Sequence, residues 1–385
     1  VVSDLKTQKG YSDQQAYNAL YSGGLRIYTT QDPNIQQICD EEYSNPANFP
    51  SGTQVELEYA LTIRRPNGTE ENFSQEMMQS YFQQQEGENF NLLFDSAEQA
   101  QNYIDTYKAA VTYDGSEVLS ESITMAPQPQ SSVVIMDQHT GYVKAIVGGR
   151  GEKTSSLSLN RATSTLRQPG STFKLVSTYA PALNECGMTL ATTYTDKPIT
   201  YKDGTPVKNA TNSYRGETTI REAIIHSINT VAVQCFTDVT PQLGYEYLKK
   251  FGFTTVYDNI SINGKIYTDI QQPTALGGIT RGVSNLELTG AYAAIANSGT
   301  YIKPMFYTKI LDEDGNVVID NTPEERKVIK PSTAYLLTSA MEDVVSEGTG
   351  TRLQLSNMHV AGKTGTTDTY NDVWFAGFTP YYTCT

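Results

Sequence analysis

Residues 167–174 constrain the fold of this chain more than any other stretch, because they join a loop directly to a helix. Their Pro-Gly pair is typical of a turn, and the residues after it predict a helix from Ser171 as far as Pro181. In such a helix the Ser171 hydroxyl and the Lys174 amine would lie side by side, and the first turn would favour negative charge. The spacing is typical of a nucleophile beside its base. The same Ser-x-x-Lys spacing at residues 3–6 has no apolar run behind it and predicts nothing there.

Length and charge limit the class of protein. A chain of 385 residues with 38% hydrophobic residues can bury the core of one large domain and a smaller one. The net charge of -14 argues against nucleic acid, whose phosphates would be repelled, and against a simple electrostatic lipid-binding surface. No apolar run is as long as a membrane span and no signal-peptide pattern opens the sequence, so we expect any anchor to lie outside this stretch.

The four cysteines and three histidines are scattered along the chain. Their spacings match no zinc or redox motif, and the low cysteine content implies no disulfide framework. Cys235 lies in an apolar helical run, where burial is the usual role of a cysteine. The sequence therefore predicts no metal site and no cofactor.

Residues 1–43 are interpreted as a connector followed by a first helix. The polar residues 1–24 end in a Gly-Gly pair, and residues 25–30 are rich in β formers and predict a strand. Asp32 predicts the cap of the helix, with Pro33 at its first position.

Residues 44–130 predict a small α+β insert without catalytic groups. A Pro-Asn-Gly turn at 66–68 predicts a hairpin, and polar, Gln- and Tyr-rich segments predict helices near 75–85 and 96–109.

Residues 131–385 predict the main domain. Its expected elements are strands at 133–137 and 142–147, helices at 218–237, 284–297 and 332–346, a hairpin of 302–311 with 317–319, and antiparallel strands at 360–367 and 373–378. Thr219 and Glu222 predict a capping box at the start of the helix at 218–237, and Ser227 and Asn229 would lie inside that helix.

Three polar motifs follow one another in this domain: Ser171-x-x-Lys174, Ser227-x-Asn229 and Lys363-Thr364-Gly365. Such a trio is known from penicillin-binding proteins and class A β-lactamases. The chain resembles the transpeptidase domain of class A (bifunctional) penicillin-binding proteins over about residues 25–43 and 131–385. The stretches that carry the resemblance lie at 24–30, 140–145, 167–174, 275–278, 348–350 and 362–380. Ser227-Ile228-Asn229 replaces Ser-Asp-Asn, which favours penicillin-binding proteins over β-lactamases.

The resemblance implies an α+β fold, in which a five-stranded antiparallel sheet packs against helices beside an all-helical subdomain. The cleft would lie between the helical part and the strand that carries Lys363. The family continues beyond the position of Thr385, so we expect the last strand and a C-terminal helix to be truncated here.

The resemblance also implies acyl transfer by a serine. Ser171 would attack the carbonyl between two D-alanines of a peptidoglycan stem peptide, and a second stem would accept the acyl group. Lys174 would be the base, with its pKa lowered by burial and by the second cation Lys363. Ser227 would relay the proton to the leaving amine. β-Lactams would enter by the same attack and stay bound.

Four residues are implied to bind substrate. Asn229 would contact the amide of the substrate, and Thr364 and Gly365 would line the cleft, Gly365 by allowing substrate close to the strand. The N–H of Thr366, with that of Ser171, would form the oxyanion hole, and its hydroxyl would help to hold the terminal carboxylate.

Other readings of the same motifs stay open. A β-lactamase would need a pattern such as Glu-x-x-Leu-Asn to release the acyl group, and the nearest match, residues 156–160, lacks the carboxylate. A D,D-carboxypeptidase would differ only in its acceptor, and a β-lactam-sensing domain would be acylated without crosslinking. The resemblance further implies an upstream glycosyltransferase domain, a missing N-terminal membrane anchor and a location on the extracytoplasmic face of the bacterial plasma membrane.

Overall fold

The structure is a computed structural model, and it describes residues 1–151, 153, 157–367 and 370–385. Ser156, the first residue of the segment compared with Glu-x-x-Leu-Asn, lies outside the described residues.

The α-helices are α1 Val2–Lys9, α2 Asp13–Ser22, α3 Pro33–Ser44, α4 Gln75–Glu86, α5 Ala97–Val111, α6 Arg161–Ser164, α7 Ala180–Asn184, α8 Ile220–Ile225, α9 Asn229–Val239, α10 Pro241–Lys250, α11 Asn285–Ala296 and α12 Pro331–Ser346. The first strands are β1 Arg26–Thr29, β2 Val55–Arg64, β3 Glu70–Phe73, β4 Leu93–Phe94, β5 Glu117–Pro127, β6 Val133–Met136, β7 Val143–Val147, β8 Thr193–Asp196, β9 Ile199–Thr200 and β10 Pro206–Val207. The later strands are β11 Gly216–Thr219, β12 Ile260–Ile262, β13 Lys265–Tyr267, β14 Thr300–Ile302, β15 Tyr307–Leu311, β16 Val317–Asp320, β17 Glu325–Lys327, β18 Ala361–Thr366, β19 Val373–Phe378 and β20 Thr383–Cys384.

The chain divides into two compact units. One comprises Val1–Gln37, Val133–Val147 and Asn160–Thr385, and the other comprises Ile38–Ser132 and Gly148–Leu159. The expected insert at 44–130 falls inside the second unit, which also takes up a segment after β7 that the sequence did not assign to it.

A five-stranded antiparallel sheet lies at the centre of the first unit, in the order β18-β19-β20-β6-β7. The predicted fold class is thereby confirmed, as are the hairpin of β6 with β7 and the pairing of β18 with β19. The short strand β20 completes the sheet, and its Thr383 pairs with Phe378 on one side and with Met136 on the other.

The helical part of the first unit packs around fully buried aromatic side chains, which include Tyr179, Tyr247 and Tyr292. The helices predicted at 284–297 and 332–346 are confirmed as α11 and α12. None of the described helices combines the length and the apolar character that crossing a bilayer requires.

The single helix predicted at 218–237 is wrong. The capping box of Thr219 and Glu222 begins α8 as expected, but the chain breaks at Ser227, which has a φ of 55°, before α9 begins at Asn229. The spacing of apolar residues continues across the break, so the sequence pattern did not indicate it. A left-handed conformation was also not expected at Ser227, because few non-glycine residues adopt it. Ser227 therefore lies between two helices and not inside one.

The helix predicted from Ser171 is also more complex than expected. A 3₁₀ turn at Gly170–Thr172 leads into a π-helical segment at Lys174–Tyr179, and α7 then continues past the expected end at Pro181. Pro181 does not end the helix because it lies in the first turn of α7, where a missing backbone N–H costs little.

Two further predictions need correction. Residues 1–24 form α1 and α2 instead of a connector, and Leu5 and Ala16 are buried against Ile310 and its neighbours. The strand predicted at 302–311 is interrupted at Pro304, so that β14 pairs with β17 while β15 forms the expected hairpin with β16.

The second unit has its own core, in which Leu57, Phe82 and Tyr107 are almost completely buried. The predicted hairpin is confirmed as β2 with β3, and the two predicted helices are α4 and α5. The long strand β5, which pairs with β2 along its whole length, was not predicted.

Candidate active site

Three segments from distant parts of the sequence meet at one serine hydroxyl. Lys174 lies at the start of the π-helical segment, Ser227 at the break between α8 and α9, and Lys363 on β18. The amines of Lys174 and Lys363 lie 3.1 Å and 2.8 Å from Ser227 Oγ. Both lysine side chains are 0% exposed, so the fold buries two basic groups around a single oxygen.

Lys174 is held by oxygen atoms on both sides of the helix break. Its Nζ donates to the main-chain O of Ser227 at 2.7 Å and to Asn229 Oδ1 at 2.6 Å. A neutral lysine amine has two N–H groups, which these two oxygens can accept, and its lone pair would then be left for a hydroxyl. The arrangement therefore suits a lysine that works without its proton.

Burial shapes the charge of both amines. Burial lowers the pKa of Lys174 well below the ordinary lysine value, and the positive charge of Lys363 lowers it further. Burial also lowers the pKa of Lys363 to about 7. Two ammonium groups on one hydroxyl would repel each other strongly at this depth of burial, which favours one neutral and one charged lysine near neutral pH.

Ser171 lies in the 3₁₀ turn that precedes Lys174 and is partly buried. Among the described residues its hydroxyl makes no hydrogen bond, neither to the two lysine amines nor to Ser227. It is therefore not tied up by a structural contact, and a direct hydrogen bond with Lys174 would need the amine or the hydroxyl to move.

The turn that carries Ser171 packs directly on the end of β18. A Cβ added to Gly170, whose φ is +55°, would lie 2.7 Å from the O and 2.9 Å from the N of Thr366. A Cβ added to Gly277 would lie 2.5 Å from the N and O of Gly170. Both glycines are thus required for this close approach, and it brings Ser171 next to the residue expected to complete the oxyanion hole.

The residues of β18 differ in their surroundings. The Thr364 hydroxyl lies 2.7 Å from the Thr349 hydroxyl at the exposed edge of the site. A Cβ on Gly365 would lie 2.5 Å from Pro169 O and 2.9 Å from Thr172 Cγ2. A side chain there would clash with the chain's own turn, which is a reason for this glycine that the sequence did not show, and the close approach of substrate to Gly365 stays a prediction.

Asn229 was expected to bind the amide of the substrate. In the structure its Oδ1 accepts from Lys174 and its Nδ2 donates to the main-chain O of Lys208 at 2.7 Å. The side chain therefore holds the amine of Lys174 in place, and its contact with substrate stays a prediction.

Two residues near the site had no signal in the sequence. Asn209 and Asp196 belong to no motif, and only their hydrogen bonds connect them to Asn229. Thr349, which contacts Thr364, lies in the stretch 348–350 that carries the resemblance. Within the described ranges, no group of three or more His, Cys, Asp or Glu side chains is arranged to hold a metal ion.

Comparisons with known proteins identify the family of this chain. A family model described as the penicillin binding protein transpeptidase domain matches residues 131–383. Penicillin-binding protein 1A of Clostridium botulinum strain Hall is 31% identical over 394 residues, which cover 99% of this chain and 38% of the relative. Penicillin-binding protein 1A of Clostridium tetani is 37% identical over 265 residues, 66% of this chain and 33% of that protein. The chain thus spans about two fifths of the length of such curated relatives or less.

Solved structures share the fold. PonA1 from Mycobacterium tuberculosis, in complex with penicillin V, superposes with a TM-score of 0.66 at 21% identity, covering 100% of this chain and 81% of that chain. Penicillin-binding protein 1A from Haemophilus influenzae gives a TM-score of 0.65 at 20% identity, covering 100% of this chain and 64% of that chain. The family model, the whole-chain relatives and the five-stranded sheet lead to one conclusion: this chain belongs to the penicillin-binding protein transpeptidase-domain family.

Proposed function

We propose that this chain is a peptidoglycan D,D-transpeptidase that works through a serine acyl-enzyme. One observation supports the proposal most strongly: the buried amines of Lys174 and Lys363 both lie within hydrogen-bonding distance of Ser227 Oγ. Burying a charged amine costs about 5 kcal/mol of desolvation free energy. Two basic groups buried at one hydroxyl are therefore unlike an arrangement that serves stability alone. Strongly perturbed basic groups in one cluster are typical of a site that moves protons.

In the proposed first step, Ser171 Oγ attacks the carbonyl carbon between the two terminal D-alanines of a stem peptide. The hydroxyl proton passes to the neutral amine of Lys174, and the carbonyl oxygen becomes an oxyanion. The main-chain N–H groups of Ser171 and Thr366 would stabilise that oxyanion, where losing one donor typically costs about 100- to 1,000-fold in rate. A free lysine with a pKa near 10.4 is neutral in only about one molecule in 2,500 at pH 7, so the lowered pKa of Lys174 is what makes it a base.

In the second step the bond to the last D-alanine breaks, and its amine takes up a proton. Ser227 lies between the two lysines and can pass that proton from Lys174 to the leaving amine. The amine of a second stem peptide then attacks the acyl carbon, the ester bond to Ser171 breaks, and the crosslink is formed. The proton lost by that amine returns through Ser227 and Lys174 to Ser171 Oγ, which restores the free hydroxyl. Thr364 and the Thr366 hydroxyl would hold the terminal carboxylate beside the charged Lys363.

The experiment that tests the serine acyl-enzyme is incubation with penicillin while the mass of the protein is followed over hours. We expect a stable gain of one penicillin per chain, which Ser171→Ala abolishes. Ser3→Ala is the matched control, because Ser3 has the same spacing to a lysine in α1 and should keep the adduct. Loss of the adduct within minutes, with many penicillins hydrolysed, would identify a β-lactamase instead.

A second assay separates the remaining alternatives. A stem peptide ending in D-Ala-D-Ala is offered with and without an amine acceptor, and the products are identified by mass. A transpeptidase forms the crosslinked product, a D,D-carboxypeptidase forms only the shortened peptide, and a β-lactam-sensing domain leaves the peptide unchanged.

The wider role of the protein follows from the same proposal. We expect stem peptides and β-lactams as its ligands, and we place the site on the extracytoplasmic face of the bacterial plasma membrane, where peptidoglycan is crosslinked. Because the chain spans only 38% of a relative such as penicillin-binding protein 1A, an upstream glycosyltransferase domain and a membrane anchor are expected in the full-length protein.

A further inference from the structure

Asn209 caps the helix that carries Asn229. The side chain of Asn209 is only 4% exposed, and its Oδ1 accepts the main-chain N–H of Asn229 at 2.9 Å and that of Thr230 at 3.3 Å. Ile228, at the usual capping position of α9, supplies no side-chain acceptor. Asn209 therefore satisfies, from a different segment, the N–H groups that the start of a helix leaves free.

Asp196 holds Asn209 in this position. Asp196 is 2% exposed, and its Oδ1 accepts from Asn209 Nδ2 at 2.8 Å and from the Thr230 hydroxyl. Its Oδ2 accepts the main-chain N–H of Arg215 at 2.8 Å. A buried carboxylate is costly unless its oxygens are hydrogen-bonded, so this network has little freedom to rearrange.

The residue before Asn209 fixes the side chain of Asn229 as well. The main-chain O of Lys208 accepts from Asn229 Nδ2 at 2.7 Å, which turns Asn229 Oδ1 towards the amine of Lys174, 2.6 Å away. Neighbouring residues of one loop thus hold both the main chain and the side chain of Asn229.

We propose that Asn209, held by Asp196, is a positioning residue for the base Lys174 and acts on it through Asn229. The inference rests on the proposed function, in which Lys174 takes the proton of Ser171. Asn209 contacts neither Lys174 nor Ser171 within hydrogen-bonding distance among the described residues, so its effect on the reaction must pass through Asn229. A displaced base slows proton transfer while the cleft that binds the ligand stays in place.

The test measures acylation of the whole chain by a fluorescent penicillin in rapid-mixing experiments, which separate the acylation rate constant from the affinity of the first, non-covalent complex. We expect Asn209→Ala to lower the rate constant by about 10- to 100-fold, as small displacements of reacting groups do, with the affinity changed less than about twofold. An unchanged rate constant in a folded variant would overturn the proposal.

Asn184→Ala is the matched structural control. Asn184 is a partly buried asparagine whose Nδ2 donates to Tyr247 OH at 2.7 Å and whose Oδ1 accepts the main-chain N–H of Lys330 at 2.8 Å. Its loss should lower the melting temperature comparably and leave the acylation rate constant unchanged. Equal loss of rate in both variants would mean that general destabilisation, and not positioning, is the cause.

Two further measurements keep the proposal testable if Asn209→Ala does not fold. Asn209→Asp places two carboxylates face to face, whereas Asn209→Asp combined with Asp196→Asn restores one amide and one carboxylate at this contact. The double variant should regain part of the lost rate, because it still lacks the bond that Asn209 Nδ2 donates to the main-chain O of Ser213 at 3.0 Å. The effects of Asn209→Ala and Asn229→Ala should also be strongly non-additive, because residues in one chain of contacts share their effect. The proposal would be contradicted if the double variant recovered none of the lost acylation rate. It would also be contradicted if the effects of Asn209→Ala and Asn229→Ala on the rate constant simply multiplied.

These outcomes are distinguishable from failure of the proposed function. If the wild-type chain forms no penicillin adduct, the serine acyl-enzyme and the positioning role both fall. If the wild type is acylated and the Asn209 variants keep its rate constant, only the positioning role falls.

Discussion

Trp374 donates its indole N–H to the main-chain O of Gln168 at 2.9 Å. Gln168 stands three residues before Ser171, and its Nε2 donates to Ile279 O at 3.2 Å. The only tryptophan of the chain packs against the core with its ring, while its polar edge fixes the loop that leads to Ser171. This contact joins the loop to β19.

Trp374→Phe keeps an aromatic ring and removes the N–H. We expect a loss of about 1 kcal/mol of unfolding free energy, the usual contribution of one hydrogen bond, and a several-fold lower acylation rate. Thermal melting and penicillin acylation measure the two effects. Tyr194→Phe, which removes the hydrogen bond to Asp238 far from this loop, should lower stability alone. Equal acylation by Trp374→Phe and the wild type would show that the loop holds its position without the indole.

Gly277→Ala should damage the site through the backbone. Gly277 has a φ of +81°, and its Cβ would lie 2.5 Å from the N and O of Gly170. We expect a loss of more than about 2 kcal/mol in unfolding free energy and a large fall in acylation, because neither backbone segment can yield without moving Ser171.

Gly264→Ala is the control for that change. Gly264 has a similar φ of +78°, but its Cβ would meet nothing within 4 Å. The Gly264→Ala variant should therefore lose only about 1 kcal/mol of unfolding free energy, the cost of an alanine in the left-handed conformation. Its acylation rate should be unchanged. Equal effects of the two substitutions would rule out the contact with Gly170 as the cause.

Lys174→Met should separate catalysis from folding. The substitution removes the proposed base and keeps an apolar side chain of similar length in a buried place. We expect acylation to fall by about 100- to 10,000-fold, the range for general-base catalysis, while circular dichroism shows a folded chain. Retention of more than a tenth of the wild-type rate would assign the base to another group.

The lowered pKa of Lys363 predicts how stability depends on pH. Burial lowers this pKa to about 7, whereas the ordinary value is 10.5, so between these values the unfolded chain binds more protons than the folded chain. Raising the pH from about 7 to 10.5 therefore favours the folded state. Below this range the folded chain carries the buried charge and bears the whole of its free-energy cost. Lys363→Met removes this contribution. Between pH 7 and pH 9 the wild type should gain up to about 1.4 kcal/mol per pH unit relative to the variant in denaturant unfolding. Parallel pH profiles for the two proteins would contradict a lowered pKa of Lys363.

Much of the fold could be predicted because local signals and the final structure agree. The capping box of Thr219 and Glu222, the Pro-Asn-Gly turn at 66–68 and the alternating strands at 133–147 depend on neighbours in sequence. Each of these signals reports a hydrogen bond or a backbone preference within a few residues.

The failures occurred where tertiary contacts override local preference. At Ser227 the apolar period continues across a left-handed residue, and the contacts that stabilise the break are tertiary ones: Ser227 with Lys174 and Lys363, and Asn209 with the start of α9. In residues 1–24 the polar composition concealed Leu5 and Ala16, which are buried against residues that lie about 300 positions later.

The candidate site, like the fold, could be predicted only in part from the sequence. The three motifs and their order were visible in the sequence, and the structure brings Lys174, Ser227 and Lys363 together. The roles of Asn209 and Asp196 could not be predicted, because a single asparagine in a loop and a single aspartate at the end of a short strand have no spacing that distinguishes them from surface residues.

The contact of Lys363 with Ser227 spans 136 positions of the chain and joins a strand to a break between helices. Such a contact exists only in molecules that have completed their fold. A fluorescent penicillin would therefore act as a count of correctly folded molecules, and the labelled fraction of a preparation would report refolding yield and storage damage without any structural measurement.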